Sequence, residues 1–450
     1  MKILEAKDNK LSSMLSGSDT RKPASNGAFF WLSTFYVVYC ARPEDWIPGL
    51  GYIPLAKITA VLAFLGLLST LGKTQRKFSN LPREGSYLLA LMCVLFLSAG
   101  LSPLWKGGAV NRTLDFAKVY LVWLLTYLLV TNFARLRRMI FIQAASVAVI
   151  STVSIVIGRS KPRLEGAIGG IYSNPNDLAF AIVLTLPFCL GFLLAAKNVF
   201  VKLCWTGAIL IMGLTLFMTA SRAGIVTLMI SGTVCLWHFG VKGRRFYLIV
   251  VSGLAMVLLL AVAGGPLIDR IVAIGGKTDT QEEARAYGSY EQRRYLMVKA
   301  LEGIAHYPVL GVGLHNFPIY SGVWRDVHMT YLQIAVEGGI PSLILYLLFF
   351  ARAFTNLRKM LRMRDLDVHT KLMVGALHSS MVGFAVGALF APEAYQFFPY
   401  FSAAYTSALV AIVAERERAP GVPVGEPGAR LRYEDLRAND KKRDTRTLVY

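Results

Sequence analysis

The stretch VFVKLCWTGAILIMGLTLFMTASRAGIVTLMISGTVCLWHFGVKGRRFYLIVVSGLAMVLLLAVAG, residues 199–264, contains three long apolar runs separated by two short polar turns. Each run has roughly 20 residues, the length that an α-helix needs to cross the hydrocarbon core of a bilayer. The first turn carries Arg222 alone, whereas the second carries Lys242, Arg244 and Arg245. This alternation is typical of consecutive membrane-spanning helices whose basic turns face the cytoplasm.

The same pattern recurs on both sides of this stretch and predicts an all-α polytopic membrane protein with about 12 transmembrane helices. The predicted spans are 28–41, 53–72, 86–104, 115–133, 139–158, 178–196, 199–219, 223–240, 246–264, 329–350, 372–390 and 396–414. Composition agrees, because 55% of the 450 residues are hydrophobic and 17% are charged, against about 25% charged in soluble domains.

The basic residues are distributed unevenly between the two sides of the predicted bundle. With a cytoplasmic N-terminus, 32 of the 48 Lys and Arg residues fall on the cytoplasmic side and 16 outside. This positive-inside distribution predicts a multi-pass protein of the bacterial inner membrane with both termini cytoplasmic. The same distribution indicates that the net charge of +21 serves contacts with anionic lipid. No nucleic-acid partner is predicted.

The predicted spans divide the chain into five segments. These are a cytoplasmic N-terminal segment (1–27), nine transmembrane helices (28–264), a large periplasmic loop containing short helices (265–328), three further transmembrane helices (329–414) and a cytoplasmic, disordered tail (415–450).

The short outer turn at Ser221 and Arg222 is a candidate anion-binding site. Ser221 can cap the following helix, whose free N–H groups favour an anion. The Arg222 guanidinium adds a fixed cation with a fork suited to phosphate oxygens. The alternative is an arginine that anchors the helix by reaching the lipid head groups.

The large loop carries a predicted amphipathic helix near 290–305. Its apolar stripe at helical spacing consists of Met297, Ala300, Leu301 and Ile304. Arg293 lies on that face and needs an anionic partner, either a ligand or an acid of the loop. Arg294 points about 100° away and is expected to be solvated. The loop acids considered as alternative partners are Asp269, Asp279, Glu282 and Glu283.

Histidines on the outer side are candidate general bases. His328 lies where the loop enters the tenth span, and imidazole is the usual base near neutral pH. His315 is the reserve candidate, and a purely structural histidine is the alternative. Glu337, nine residues after His328, would lie on the opposite helix face and about 13 Å deeper. The sequence shows no metal-ligand spacing and no nucleotide-binding loop, so no cofactor is predicted.

An outer-face site with two or three arginines and a histidine suits a substrate that carries a diphosphate in the membrane. The arginines would neutralise a pyrophosphate leaving group, and the histidine would deprotonate a hydroxyl nucleophile. The residues therefore favour glycosyl transfer from a polyprenyl-diphosphate-linked glycan.

Four short motifs resemble elements of the bacterial O-antigen ligase/polymerase superfamily, in the family's order and all on the predicted outer side. They are Arg163-Leu-Glu-Gly166 with Ser173-Asn-Pro-Asn176, Ser221-Arg222-Ala223-Gly224, Arg293 with Pro308-Val-Leu-Gly311-Val-Gly313, and His328-Met-Thr-Tyr-Leu332 with Glu337-Gly-Gly339. Met329 departs from the family, in which an asparagine frequently follows the histidine.

The resemblance implies a metal-independent, inverting glycosyltransferase with an undecaprenyl-diphosphate-linked glycan as donor. It places Arg222, Arg293 and, as a lesser candidate, Arg163 on the diphosphate, with His328 activating the acceptor hydroxyl. His315, Arg294, Asn176 and Glu337 are lesser site candidates.

The acceptor stays open at this point. A ligase transfers the glycan to lipid A-core, a polymerase to another lipid-linked repeat unit, and a protein O-oligosaccharyltransferase to Ser or Thr. A lipid-linked sugar transporter without catalysis is the alternative of a different class. It is disfavoured because the span interiors are almost free of charge, whereas transporters bury ionisable residues near the bilayer midplane.

Overall fold

The computed structural model describes residues 26–69, 76, 81–158, 164, 170–265, 281–363 and 366–418. Within these ranges all regular secondary structure is helical, which confirms the all-α fold class. Most of the predicted N-terminal segment, part of the large loop and most of the tail lie outside the described residues.

The described helices follow the apolar runs of the sequence, and we number them in chain order. They are α1 (Asn26–Ala41), α2 (Leu55–Leu68), α3 (Arg83–Gly100), α4 (Lys106–Leu129), α5 (Phe133–Gly158), α6 (Pro175–Ala195), α7 (Val199–Met218), α8 (Arg222–Leu236), α9 (Tyr247–Ala263), α10 (Gln281–His306), α11 (Phe317–Ser321), α12 (Thr330–Arg362), α13 (Val368–Gly387) and α14 (Phe397–Arg418). Each predicted span coincides with one of these helices, and α10 and α11 belong to the large loop.

Seven of the described helices are long and apolar enough to cross a membrane. They are α3, α5, α6, α7, α8 with its π-helical continuation Trp237–Val241, α12 and α14. Helices α2 and α9 are apolar but shorter. The chain is therefore a multi-pass helical protein, and the number of twelve spans stays a prediction.

Helix α9 shows how the apolar surface is distributed. Leu248 is its one buried residue, and Val250, Leu254 and Val257 are each more than 60% exposed. An apolar helix that is open on nearly every face is stable only next to lipid or another apolar partner. Its exposure therefore fits a bilayer around the bundle.

Six connecting segments lie at the same end of the bundle, which we call the site end. They are 42–54, 101–105, 170–174, 219–221, 307–329 and 388–396. Contacts between them define this end: the Asn316 Nδ2 donates to the Trp105 carbonyl at 3.2 Å, and the Thr330 N–H donates to the Ala388 carbonyl at 2.8 Å. Alternate connections, including the one at Arg76, lie at the opposite end, where Arg76 pairs with Glu415 at 2.8 Å.

Helix α12 is interrupted at Gly339, whose φ of 79° and ψ of 173° are not helical. The carbonyl of Glu337 loses its helical partner because Pro341 has no N–H group. The Gly313 N–H replaces that partner at 2.9 Å, and the Ile340 N–H turns to the Pro308 carbonyl at 2.8 Å. The Pro-x-x-Gly-x-Gly and Glu-x-Gly motifs of the sequence are thus two halves of one backbone junction.

The positive φ of Gly311 and Gly339 belongs to this junction. A Cβ on Gly311 would lie 2.5 Å from the Glu337 carbonyl carbon, and one on Gly339 would lie 2.2 Å from the Val309 oxygen. Only glycine fits both the backbone conformation and the close approach of the two segments. The junction fixes the loop that follows it, residues 314–328, against the top of α12.

The predicted amphipathic helix near 290–305 is confirmed as the C-terminal part of α10, but the predicted apolar stripe is partly wrong. Met297 and Leu301 are exposed, at 44% and 53%, whereas Leu296 and Ala300 are fully buried. The buried face is rotated by about one residue because α10 packs on α11 and α12. Leu296 and Ala300 join a small loop core, which also contains Val312, Phe317, Val327 and Val336.

Candidate functional site

His328 lies at the site end, immediately before α12, and is held by buried neighbours on both sides. Val327 belongs to the loop core, and Thr330 donates through its Oγ1 to the Ala391 carbonyl at 2.7 Å. Met329 is the N-cap residue of α12 and forms no side-chain capping bond. The Thr330 N–H, next along the chain, donates to the Ala388 carbonyl at 2.8 Å and ties this entrance of α12 to the α13–α14 connection.

The surroundings of His328 are cationic. Burial, followed by the charges of Arg293 and Arg325, lowers the pKa of His328 to about 4. Burial disfavours the charged imidazolium, and two nearby guanidinium groups repel it. His328 is consequently neutral at neutral pH, in the form that can accept a proton.

Arg293 reaches this site from α10. It precedes the buried Leu296 by three residues and the buried Ala300 by seven, so all three lie on one helix face. Its charge acts on His328, which shows that the large loop folds back over the entrance of α12. The structure therefore brings together two residues that the sequence separates by 35 positions. Arg294 is exposed, as its helical position predicts.

His315 has an acidic partner in Asp326. Its Nδ1 lies 3.5 Å from the Asp326 Oδ1, and its backbone adopts a φ of 59°, which is uncommon for a residue with a side chain. Burial raises the pKa of Asp326, and the charges of His315 and Arg112 act in the opposite direction. The reserve base is thus part of a carboxylate–imidazole pair.

Asp326 also connects the large loop to the transmembrane helices. Its negative charge repels that of Asp177 in α6. Asp177 in turn repels Glu393 in the α13–α14 connection. Burial and the charge of Asp177 together raise the pKa of Glu393 well above that of an ordinary carboxyl group. The acids therefore line the site on the side that faces α6 and α13.

Glu337 is fully buried within α12. Its Oε2 accepts a hydrogen bond of 2.6 Å from the Tyr395 hydroxyl. The backbone N–H groups of His315 and Phe317 donate to the same carboxyl group. Glu337 therefore holds the His315 turn against the α13–α14 connection. The prediction that it is a poor partner for His328 fits these contacts, because its partners are elsewhere.

Arg222 is the first residue of α8. Ser221 caps that helix, with its Oγ accepting from the Gly224 N–H at 3.1 Å, as the sequence predicts. The Ser221 hydroxyl also donates to the Asn176 Oδ1 at 2.8 Å. This bond joins the start of α6 to the turn before α8.

A groove of about 660 Å³ opens at the site end, between the start of α4 and the loop that contains α11. Six of the residues that line it are Trp105, Arg112, His315, Trp324, Arg325 and Asp326. Arg325 belongs both to the groove and to the surroundings of His328, so the two features are continuous.

One predicted site residue and the four loop acids considered as partners of Arg293 cannot be placed. Arg163 lies outside the described residues, and so do the side chains of the loop acids weighed as partners of Arg293. Among the described residues, no group of three or more His, Cys, Asp or Glu side chains is arranged to hold a metal ion.

Several residues of the site were missed by sequence reasoning. They are Arg112, Asp177, Arg325, Asp326, Glu393 and Tyr395. For Glu393 the available signal was a charge in a short turn between two apolar runs. For Asp177 and Asp326 it was a charge next to a residue of a family motif. That signal does not reveal which turns meet, because the contacts join segments far apart in the chain.

Comparison with known families matches residues 207–347 to the family described as O-antigen ligase. The matched region contains Arg222, Arg293, His315, His328 and Glu337, and it supports the resemblance to the O-antigen ligase-like superfamily. No curated protein matches the chain.

Proposed function

We propose that this chain, whose residues 207–347 match the O-antigen ligase family, transfers an oligo- or polysaccharide from an undecaprenyl-diphosphate carrier to an acceptor hydroxyl. The match supports membrane glycan transfer in general. The carrier, the inverting stereochemistry and the roles of individual residues are our proposal from the chemistry of the site.

The proximity of Arg293 and His328 carries this proposal. A guanidinium beside a half-buried imidazole destabilises the protonated histidine, and an isolated structural histidine gains nothing from such a neighbour. The arrangement is useful when an anionic substrate enters, because the anion then binds the arginine and relieves the repulsion. A lipid-linked diphosphate is such a substrate.

The proposed reaction is a single displacement at the anomeric carbon of the donor sugar. His328 accepts the proton of the acceptor hydroxyl, and the acceptor oxygen forms a bond to the anomeric carbon. The bond from that carbon to the diphosphate oxygen breaks, and undecaprenyl diphosphate leaves with the electron pair. Arg222 and Arg293 stabilise the negative charge of the leaving diphosphate.

Binding of the donor would also adjust the base. In the free protein burial, together with the charges of Arg293 and Arg325, holds the pKa of His328 at about 4, where the imidazole is neutral but weakly basic. A bound diphosphate would offset both positive charges and raise the proton affinity of His328 towards the value at which a general base is most effective. His328 would thus become a stronger base only when the donor is present.

We further propose that the site end faces the periplasm and that the termini are cytoplasmic. The distribution of Lys and Arg residues supports this orientation. Labelling of single cysteines introduced at exposed loop positions, such as Trp324 at the site end and Lys197 at the opposite end, tests it. A membrane-impermeant reagent should label the first position in intact spheroplasts and the second only after lysis.

The test of the reaction is a reconstituted assay with purified protein and an undecaprenyl-diphosphate-linked glycan. Lipid A-core, a second lipid-linked glycan and a serine-containing peptide are offered as acceptors, each with and without EDTA. We expect transfer to lipid A-core and no effect of EDTA. Transfer to one of the other acceptors would reassign the acceptor, and the absence of transfer to all of them would remove the glycosyltransferase proposal.

A further inference from the structure

The groove beside His328 exposes two tryptophan side chains. Trp105 is 59% exposed and Trp324 is 81% exposed, although both indoles are large apolar groups that are usually covered in a folded protein. Both line the same groove. Tryptophan is common at the ends of membrane-spanning bundles, but two indoles in one concave site also offer flat apolar faces on which a ligand can stack.

The rest of the groove is polar. Arg112, Arg325 and Asp326 line it together with His315, so guanidinium donors and a carboxylate acceptor stand beside the indoles. A sugar ring presents the complementary mixture, with C–H groups on its faces and hydroxyl groups around its edge. The volume of about 660 Å³ is in the range of small-molecule sites.

The position of the groove separates it from the arginine proposed to hold the diphosphate. The groove is built on α4, which packs against α3 and α14, whereas Arg222 begins α8, which packs against α6 and α13. An inverting displacement requires the nucleophile and the leaving group on opposite sides of the reacting carbon. A sugar that enters from the α4 side would approach from helices other than those that carry Arg222, and Arg325 of the groove also acts electrostatically on His328.

We propose that the groove binds a saccharide portion of the acceptor, with Trp105 and Trp324 stacking on its rings and Asp326 and Arg325 bonding its hydroxyl groups. This inference rests on the proposed function and deepens it. It assigns the acceptor to the carbohydrate class, as in a ligase or a polymerase, and not to the protein class.

The structure supplies an indirect way to displace one indole. A Cβ on Gly108 would lie 2.1 Å from the Trp105 ring, whereas a Cβ on the adjacent Gly107 would lie 3.7 Å from the Trp105 Nε1, an ordinary van der Waals contact. Gly108→Ala should therefore move Trp105 without changing its identity. Gly107→Ala places the same methyl group in the same helical turn and leaves the indole in place.

The test measures binding of deacylated lipid A-core oligosaccharide to the purified full chain by saturation-transfer NMR, without donor or turnover. We expect Trp324→Ala and Gly108→Ala each to weaken binding by about 3- to 10-fold. Trp324→Phe should restore most of the loss because it keeps an aromatic face. Gly107→Ala and Trp237→Ala should bind normally, the latter removing an indole that is 53% exposed at the opposite end.

A second arm separates this inference from the proposed function. In the transfer assay Trp324→Ala should raise the KM for the acceptor and leave the KM for the donor unchanged. Unchanged oligosaccharide binding in Trp324→Ala, or a rise only in the donor KM, would overturn the acceptor groove even when transfer is intact. If the protein binds the oligosaccharide in a Trp324-dependent manner but shows no transfer activity, the groove assignment is supported and the proposed reaction is rejected.

Discussion

The Tyr395 hydroxyl donates a hydrogen bond of 2.6 Å to the Glu337 Oε2, and this bond links the α13–α14 connection to the interrupted helix α12. Glu337 is fully buried, and Tyr395 is partly buried against the core. Glu337 also faces the backbone N–H groups of the His315 turn, so one carboxyl group determines how three segments of the site end meet.

Tyr395→Phe should destabilise the protein, because it leaves the buried Glu337 oxygen without its donor. The expected loss is about 1–3 kcal/mol, the cost of an unsatisfied buried polar group. Thermal unfolding in detergent measures it as a lower Tm. Tyr52→Phe is the control, since Tyr52 is 95% exposed and should leave the Tm unchanged. An equal Tm for Tyr395→Phe and the wild type would remove the structural role of this bond.

His328→Ala should reduce glycan transfer by about 10²- to 10⁴-fold, the usual contribution of a general base. Folding should persist, which the Tm and the gel-filtration profile report. His306→Ala is the matched control, because His306 is exposed and its Nδ1 lies 2.8 Å from the Glu302 carbonyl of its own helix. Full transfer by His328→Ala with His315 intact would move the base assignment to the His315–Asp326 pair.

Arg222→Lys should lower kcat/KM for the donor substantially, although it keeps the positive charge. An ammonium group cannot supply the two parallel hydrogen bonds that a guanidinium offers to phosphate oxygens. Arg137→Lys, an exposed arginine at the opposite end of the bundle, controls for general effects of the exchange. Normal turnover of Arg222→Lys would favour the alternative in which Arg222 only anchors the helix at the membrane surface.

The pH dependence of transfer should differ between the free protein and the donor complex. Activity requires neutral His328, so it is lost as the pH falls through the pKa of that residue. The acid limb of kcat/KM reports the free protein and should lie near the pKa of about 4. The acid limb of kcat reports the complex and should lie at higher pH, because the diphosphate offsets Arg293 and Arg325. Coincident limbs would contradict this coupling.

Local features of the site followed well from the sequence. The Ser221 cap and the exposure of Arg294 depend on a single helix, whose 3.6-residue period determines which side chains share a face. The buried side of α10 was less predictable: Met297 and Leu301 are as apolar as the buried Leu296. Contact with α12 determines which part of the wide apolar face of α10 is buried. The sequence of α10 alone does not reveal which part that is.

By itself the sequence determined the positions of the long helices, because the length and apolarity of each run are set by neighbouring residues and by the thickness of a bilayer. The tertiary structure alone decided that Asp326 contacts His315, that Glu337 bonds Tyr395 and that Trp105 and Trp324 share a groove. These contacts join residues that are distant in the chain and depend on how several connections pack at one end. Side-chain periodicity describes a single helix, whereas a binding site is created where different helices end together.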